Sequence, residues 1–229
     1  MVESAVKGTL NVLRSCAKVP SVKRVIVTSS LAAVVMTGKP LADDVVVDET
    51  WFSDPVLCEK SKQWYALSKT LAEKAAWEFS EETGIDMVSI IPGMVSGPPL
   101  QPTVNTSLLP IVELIGAETF SNAAVTWVDV RDVVNAHILA LENPSACGRY
   151  CMAGKSLHGS ELLKILRDLF PDLSLPERCS EEKGLVSAYP AFDQVSVERV
   201  KSLGINFTPL EVSFKDTVDG LREKKLLSV

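Results

Sequence analysis

Arg24-Val25-Ile26-Val27-Thr28 decides how this chain folds, and Ser29 and Ser30 follow it at once. A β-branched run without Gly or Pro reads as a short buried strand. Upstream, residues 3–17 read as an amphipathic helix. Val6, Leu10, Leu13 and Ala17 recur at helical spacing, with Lys7 and Arg14 off that face. Downstream, residues 62–83 are rich in Ala, Leu, Lys and Glu and stop at Gly84, as a long helix does. Met87-Val88-Ser89-Ile90-Ile91 is a second buried strand, ended by Pro92-Gly93. Helix, strand, helix, strand is the rhythm of a parallel α/β sheet. A strand around 125–128, a helix over 131–141 and a strand over 148–152 continue it. Residues 31–60 read mostly as loop, with Gly38, Pro40, Pro55 and an acidic stretch around Asp43, Asp44 and Asp48. Beyond Ala153, helices near 159–169 and 213–224 flank a Pro-rich, irregular segment from 171 to 192.

The bulk composition narrows the classes. Of 229 residues, 46% are hydrophobic and 23% charged, which suits a globular domain with a sizeable core. The net charge of −6 and the scattered Lys and Arg argue against nucleic acid and against an acidic membrane surface. The five cysteines, at 16, 58, 147, 151 and 179, match no zinc ligand spacing, so no metal site is expected. Free thiols suit a reducing compartment, and neither a signal peptide nor a long apolar run is seen, so a cytoplasmic location is expected.

Tyr65 and Lys69 stand four apart on the predicted helix and so share a face. A free phenol has a pKa near ~10, too high for acid-base work at neutral pH. A neighbouring ammonium favours the phenolate, and a tyrosine so tuned can pass a proton to a forming alkoxide. Tyr-x-x-x-Lys by itself is a weak signal, because the spacing arises by chance on exposed helices. Ser29 and Ser30 strengthen it. A hydroxyl directly after a strand lies at the C-terminal edge of a parallel sheet, where such folds bind ligands. It can polarise a substrate carbonyl, or it can merely start a turn.

The stretches Lys23–Ser30 and Lys62-Gln63-Trp64-Tyr65-Ala66-Leu67-Ser68-Lys69-Thr70-Leu71-Ala72-Glu73 resemble plant reductases of the extended short-chain dehydrogenase/reductase family. Dihydroflavonol reductases, cinnamoyl-CoA reductases and their relatives form that group. Asp132-Val133-Val134 with Ala136-His137, and Phe207-Thr208-Pro209-Leu210-Glu211, resemble it too, so the likeness runs along essentially the whole chain. It implies a Rossmann-like α/β fold with a parallel sheet. Residues 1–153 would be a partial NAD(P)-binding domain, and 154–229 mainly a C-terminal substrate lobe. It implies Ser30, Tyr65 and Lys69 as catalytic residues. It gives Tyr65, Lys69, Pro92, Gly93 and Val95 to the cofactor, NADP, and Ser30, Met94 and Tyr65 to the substrate. Met36, Leu100 and Tyr189 are further pocket candidates, although apolar residues are core by default. His137 reads as a packed helix residue and His158 as part of a loop or helix start.

The implied activity is NADP-dependent reduction of a carbonyl in a phenylpropanoid- or flavonoid-like aldehyde or ketone. The partner is then a small aromatic carbonyl compound, and the expected state is a monomer or weak homodimer. Two departures from cinnamoyl-CoA reductases proper point away from a CoA ester. Ala66-Leu67-Ser68 replaces their usual Cys-Tyr-Gly, and Pro110 and Glu113 stand where a His-x-x-Lys is usual. A nucleotide-sugar epimerase or dehydratase is one alternative, weakly supported by Arg178 and Lys183. A non-catalytic, truncated family member is another.

Family members open with a strand, a Thr-Gly-x-x-Gly-x-x-Gly turn and a helix, which together hold the cofactor pyrophosphate. Here no such turn occurs, and Gly93 and Gly97 lack a third glycine at the right spacing. By the resemblance, roughly the first third of the usual domain is absent. The strand at 24–28 should then have an exposed edge. The chain alone should bind NADPH weakly or not at all. Titration with NADPH against the four tryptophans checks this: little quenching is expected, and micromolar quenching overturns it.

Overall fold

A computed structural model describes residues 1–38, 45–180 and 195–227. In chain order the elements are α1 (Val2–Ala17), β1 (Val25–Thr28), a 3-10 turn (Leu31–Ala33), α2 (Pro55–Lys60) and α3 (Trp64–Thr83). Next come β2 (Met87–Pro92), β3 (Met94–Ser96), α4 (Leu109–Val112), β4 (Thr119–Ser121), β5 (Ala124–Asp129) and α5 (Val130–Glu142). The rest are β6 (Gly148–Met152), β7 (Lys155–His158), α6 (Gly159–Leu169), β8 (Arg178–Ser180), α7 (Glu198–Ser202) and α8 (Leu210–Glu223). The α/β alternation expected from the sequence is present. Pro40, Asp43, Asp44, Lys183 and Tyr189 lie outside the described residues. Among the described residues, no helix is long and apolar enough to cross a membrane.

One expectation gains detail and two need correction. The stretch 31–60 is mostly loop among its described residues, as expected, with two short helical pieces in it: Ser30 caps the 3-10 turn, and Asp54 caps α2, with Pro55 at its first position. Pro92-Gly93 does not simply end a strand. The chain leaves one sheet at Pro92 and enters another at Met94, so Val95 is itself a strand residue. Nor does the chain divide at residue 153. One compact unit takes the described residues of Met1–Pro92, Val134–Met152 and Gln194–Ile205. The other takes those of Gly93–Val133, Ala153–Asp193 and Asn206–Val229.

The first unit is built on the parallel sheet β1-β2-β6. β2 is buried along its whole length, as an apolar run between two neighbours should be. β1 is equally apolar yet only half-buried at Val25, Ile26 and Val27, because among the described residues it is an edge strand. The exposed edge expected from the sequence is therefore present. Val134, Ile138 and Leu141 form an exposed apolar stripe on α5. α1 packs on α3, and Leu13, Ala76 and Met87 make a small core against Val25, Val27, Trp77 and Phe79. Gly84, at φ 72°, closes α3 in the left-handed conformation that glycine adopts without strain. Arg24 binds Asp86 at 2.8 Å and donates to the carbonyls of Ala140 and Asn143 at 2.6 and 2.7 Å. One guanidinium so holds the start of β1 against the C-terminal end of α5, where carbonyls lack helical partners.

The second unit has a mixed sheet, β3-β5-β7, and a two-stranded one, β4-β8. Its core gathers Trp127, Leu157, Leu162, Leu166, Phe214 and Val218. Trp127 and Phe214 meet edge to face at 5.2 Å and 88°. Two stretches far apart in sequence, Asp132-Val133-Val134 and Phe207-Thr208-Pro209-Leu210-Glu211, meet here. Thr208 donates its N–H and its hydroxyl to the Asp132 carboxylate, at 2.8 and 2.9 Å. Phe214→Ala should cost about 3–5 kcal/mol, the range for emptying a buried aromatic site. Urea unfolding checks this, with an unchanged midpoint as the contrary result.

Candidate active site

α3 carries Tyr65, Lys69 and Glu73 at intervals of four, so all three lie along one face. The lower two are tied to the C-terminal end of β1. Lys69 Nζ donates to the Thr28 carbonyl at 3.2 Å, and Ser29 Oγ donates to Glu73 Oε2 at 2.6 Å. Ser30 is the next residue along, half-buried in extended backbone (φ −161°, ψ 150°). Its Oγ accepts from Ala32 N at 3.2 Å, so it does start a turn, the plainer of its two readings. Accepting one bond leaves the O–H as a donor. Tyr65 lies one turn nearer the N-terminus of α3 and is 49% exposed, with Trp64 beside it at 47%.

The other residues singled out fall as follows. Pro92 is buried at the end of β2, while Gly93, Met94 and Val95 are half-buried and belong to the second unit. Met94 pairs with Trp127 and packs on the core cluster of that unit. Met36 is buried, and Leu100 is 90% exposed. Glu113 is exposed at the end of α4. His158 caps α6, its ring accepting from the Ser160 N–H while the Glu161 carboxylate accepts from the His158 N–H, a capping box. His137 is more than a packed helix residue, since its Nε2 lies 2.8 Å from Thr28 Oγ1.

Burial pushes the Lys69 ammonium below its ordinary value, opposed by the negative charge of Glu73 one turn away. Glu73 is itself buried, which raises a carboxyl, but the hydrogen bonds and charge of Arg149 and the hydroxyls of Ser29 and Ser89 outweigh this and hold it low. Arg149 grips it with Nε at 2.8 Å and Nη2 at 3.1 Å. Arg149 Nη1 donates to the carbonyls of Glu49 and Trp51, and its guanidinium stacks 3.7 Å from the Phe52 ring. Sequence reading missed this network. Its one signal was an acid eight residues after Tyr65 on the same helical face.

A Ser, a Tyr and a Lys held at the C-terminal edge of a parallel sheet can bind and protonate a carbonyl oxygen. The model of the NAD dependent epimerase/dehydratase family matches residues 1–150. The chain belongs to that family and, within it, to the cinnamoyl-CoA-reductase-like oxidoreductases of the extended short-chain dehydrogenase/reductase type. It is 57% identical to "Cinnamoyl-CoA reductase CAD2" of Medicago truncatula, over 100% of this chain and 69% of that one. Vestitone reductase from alfalfa (Medicago sativa L.) superposes with a TM-score of 0.85 at 32% identity, over 99% of this chain and 73% of that one. Yeast methylglyoxal/isovaleraldehyde reductase Gre2, solved with NADPH, gives a TM-score of 0.79 at 26% identity, over 98% and 72%.

The held-down Glu73 carboxyl makes acid stability a test of the network. A carboxyl with a depressed folded pKa stabilises the fold above its unfolded pKa, and that contribution is lost as pH falls through the folded value. Thermal melts from about pH 6 to about pH 3 should show the loss in the natural chain. Glu73→Gln should start less stable and show a weaker pH dependence, and equal slopes would refute the assignment.

Proposed function

We propose that this chain reduces the carbonyl of a phenylpropanoid- or flavonoid-like aldehyde or ketone with NADPH, through Ser30, Tyr65 and Lys69. The observation that carries the reading is the bond from Lys69 to the Thr28 carbonyl. It ties the Tyr-Lys face of α3 to the strand end that leads into Ser30.

The residues of the first unit fit the nicotinamide-ribose end of such a cofactor. Tyr65 and Lys69 offer a phenol and an ammonium, both suited to ribose hydroxyls, at the sheet edge where dinucleotides bind. The assignment of Pro92, Gly93 and Val95 to the cofactor and of Met94 to the substrate rests on family resemblance and is part of the same proposal. When bound, NADPH supplies the hydride. Ser30 donates a hydrogen bond to the carbonyl oxygen. Tyr65 passes its phenolic proton to that oxygen as negative charge builds there. Lys69, charged and close on the same face, stabilises the phenolate left behind and holds the ribose.

A second reading has a specific observation behind it. The 57%-identical relative carries the name of a cinnamoyl-CoA reductase, so a CoA thioester is the rival substrate. By family resemblance Glu113 stands where cinnamoyl-CoA reductases proper usually carry the Lys of a His-x-x-Lys, and a carboxylate in that role would repel the phosphates of CoA.

The chain is assayed with NADPH near millimolar concentration, against coniferaldehyde, a phenolic ketone and cinnamoyl-CoA. Aldehyde- or ketone-dependent NADPH oxidation is expected, and oxidation with the thioester alone would install the rival. Tyr65→Phe should lower kcat about a hundred- to ten-thousand-fold, the usual worth of a general acid, with an unchanged melting temperature. Full activity in that variant would refute the role of Tyr65.

A further inference from the structure

We propose that Glu73 is the positioning residue of this site, holding Ser30 in register with Tyr65 and Lys69 through its bond to Ser29. The inference rests on the catalytic roles proposed above.

The carboxylate of Glu73 gathers one residue from each part of the sheet beneath α3. Ser29 comes from the end of β1, Ser89 from β2 at 2.9 Å, and Arg149 from β6. Ser89 and Arg149 stand opposite each other in one strand pair, and Ser29 lies two residues beyond Val27, the residue opposite Ser89 in the other pair. Trp77, one turn further along α3, adds an indole N–H at 3.4 Å.

Charge balance alone does not need this many donors. The Arg149 fork already neutralises Glu73 and reaches both of its oxygens. The Ser29 bond does something the fork cannot, because Ser29 is covalently joined to Ser30 and follows Thr28, the acceptor for Lys69. Any slide of α3 along the sheet must break it. Catalytic geometry is sensitive on that scale, since a misplacement of about 1 Å can cost on the order of a hundredfold in rate.

A substitution at Glu73 strands the buried Arg149 charge and costs the fold, so the test acts on the serines. Ser29→Ala and Ser89→Ala each delete one hydrogen bond to the same carboxylate, and only Ser29 adjoins Ser30. The full chain is assayed with NADPH and coniferaldehyde. Ser29→Ala should lower kcat about tenfold with KM little changed, Ser29→Thr should restore most of it, and Ser89→Ala should fall less than about twofold. Amide exchange gives a readout that needs neither cofactor nor turnover. The N–H groups of Ala33 and Val34, bonded to the Ser30 and Leu31 carbonyls, should exchange about tenfold faster in Ser29→Ala than in Ser89→Ala. Equal exchange in the two variants, or a kcat loss that Ser89→Ala shares and Ser29→Thr does not mend, would overturn the positioning role. If the natural chain turns nothing over, the catalytic reading fails, and the exchange comparison still decides whether Glu73 holds the Ser30 turn.

Discussion

A buried carboxylate is the constraint on which the first unit depends. Removing an ion from water costs several kcal/mol unless partners replace its hydration. Glu73 meets that demand with a bidentate arginine and two serine hydroxyls. Ser89 and Arg149 sit on β2 and β6 and Ser29 directly follows β1, so satisfying the charge fixes the sheet and the helix above it together. Arg149 is held in turn by the carbonyls of Glu49 and Trp51 and by the Phe52 ring, which extends the constraint to the loop ahead of α2. A purely apolar contact would tolerate sliding. A set of hydrogen bonds with short, directional reach does not.

What could be read from the sequence divides by how local the signal is. The helix bearing Tyr65 and Lys69, its stop at Gly84 and the strand before Ser30 all follow from period and punctuation within a few residues. α2 announces itself as plainly, with Asp54 as cap and Pro55 in the first turn, inside a stretch otherwise rich in loop residues. Glu73 and Arg149 lie 76 positions apart, and no periodicity links them. The same holds for Asp132 and Thr208, again 76 apart. Their motifs were legible separately, and their meeting was not.

The two compact units show a further limit. Reading along the chain suggests a boundary at one point, since composition changes beyond Ala153. The actual units interleave, because Pro92-Gly93 passes the chain from one sheet to another and α5 spans the next change. An exchange between sheets leaves little mark in composition when both strands are equally apolar. Met94 illustrates the consequence. Taken from the sequence it follows a turn. In the structure it stands opposite Trp127 in a strand pair and packs on a core.

The buried pair also bears on the chemistry of Lys69. An ammonium paired with a carboxylate would have its field largely cancelled before reaching a phenol. Among the described residues Lys69 forms no ion pair, and it donates to the neutral carbonyl of Thr28. The nearest acid on its face, Glu73, is already balanced by Arg149. Burial works against the charged form of Lys69, and Glu73 works for it. Arg149 therefore sets how much of Glu73's charge remains for Lys69. Lys69 so sits between opposing pushes, burial against its charge and Glu73 for it, with the neutral Thr28 carbonyl as its bonded partner.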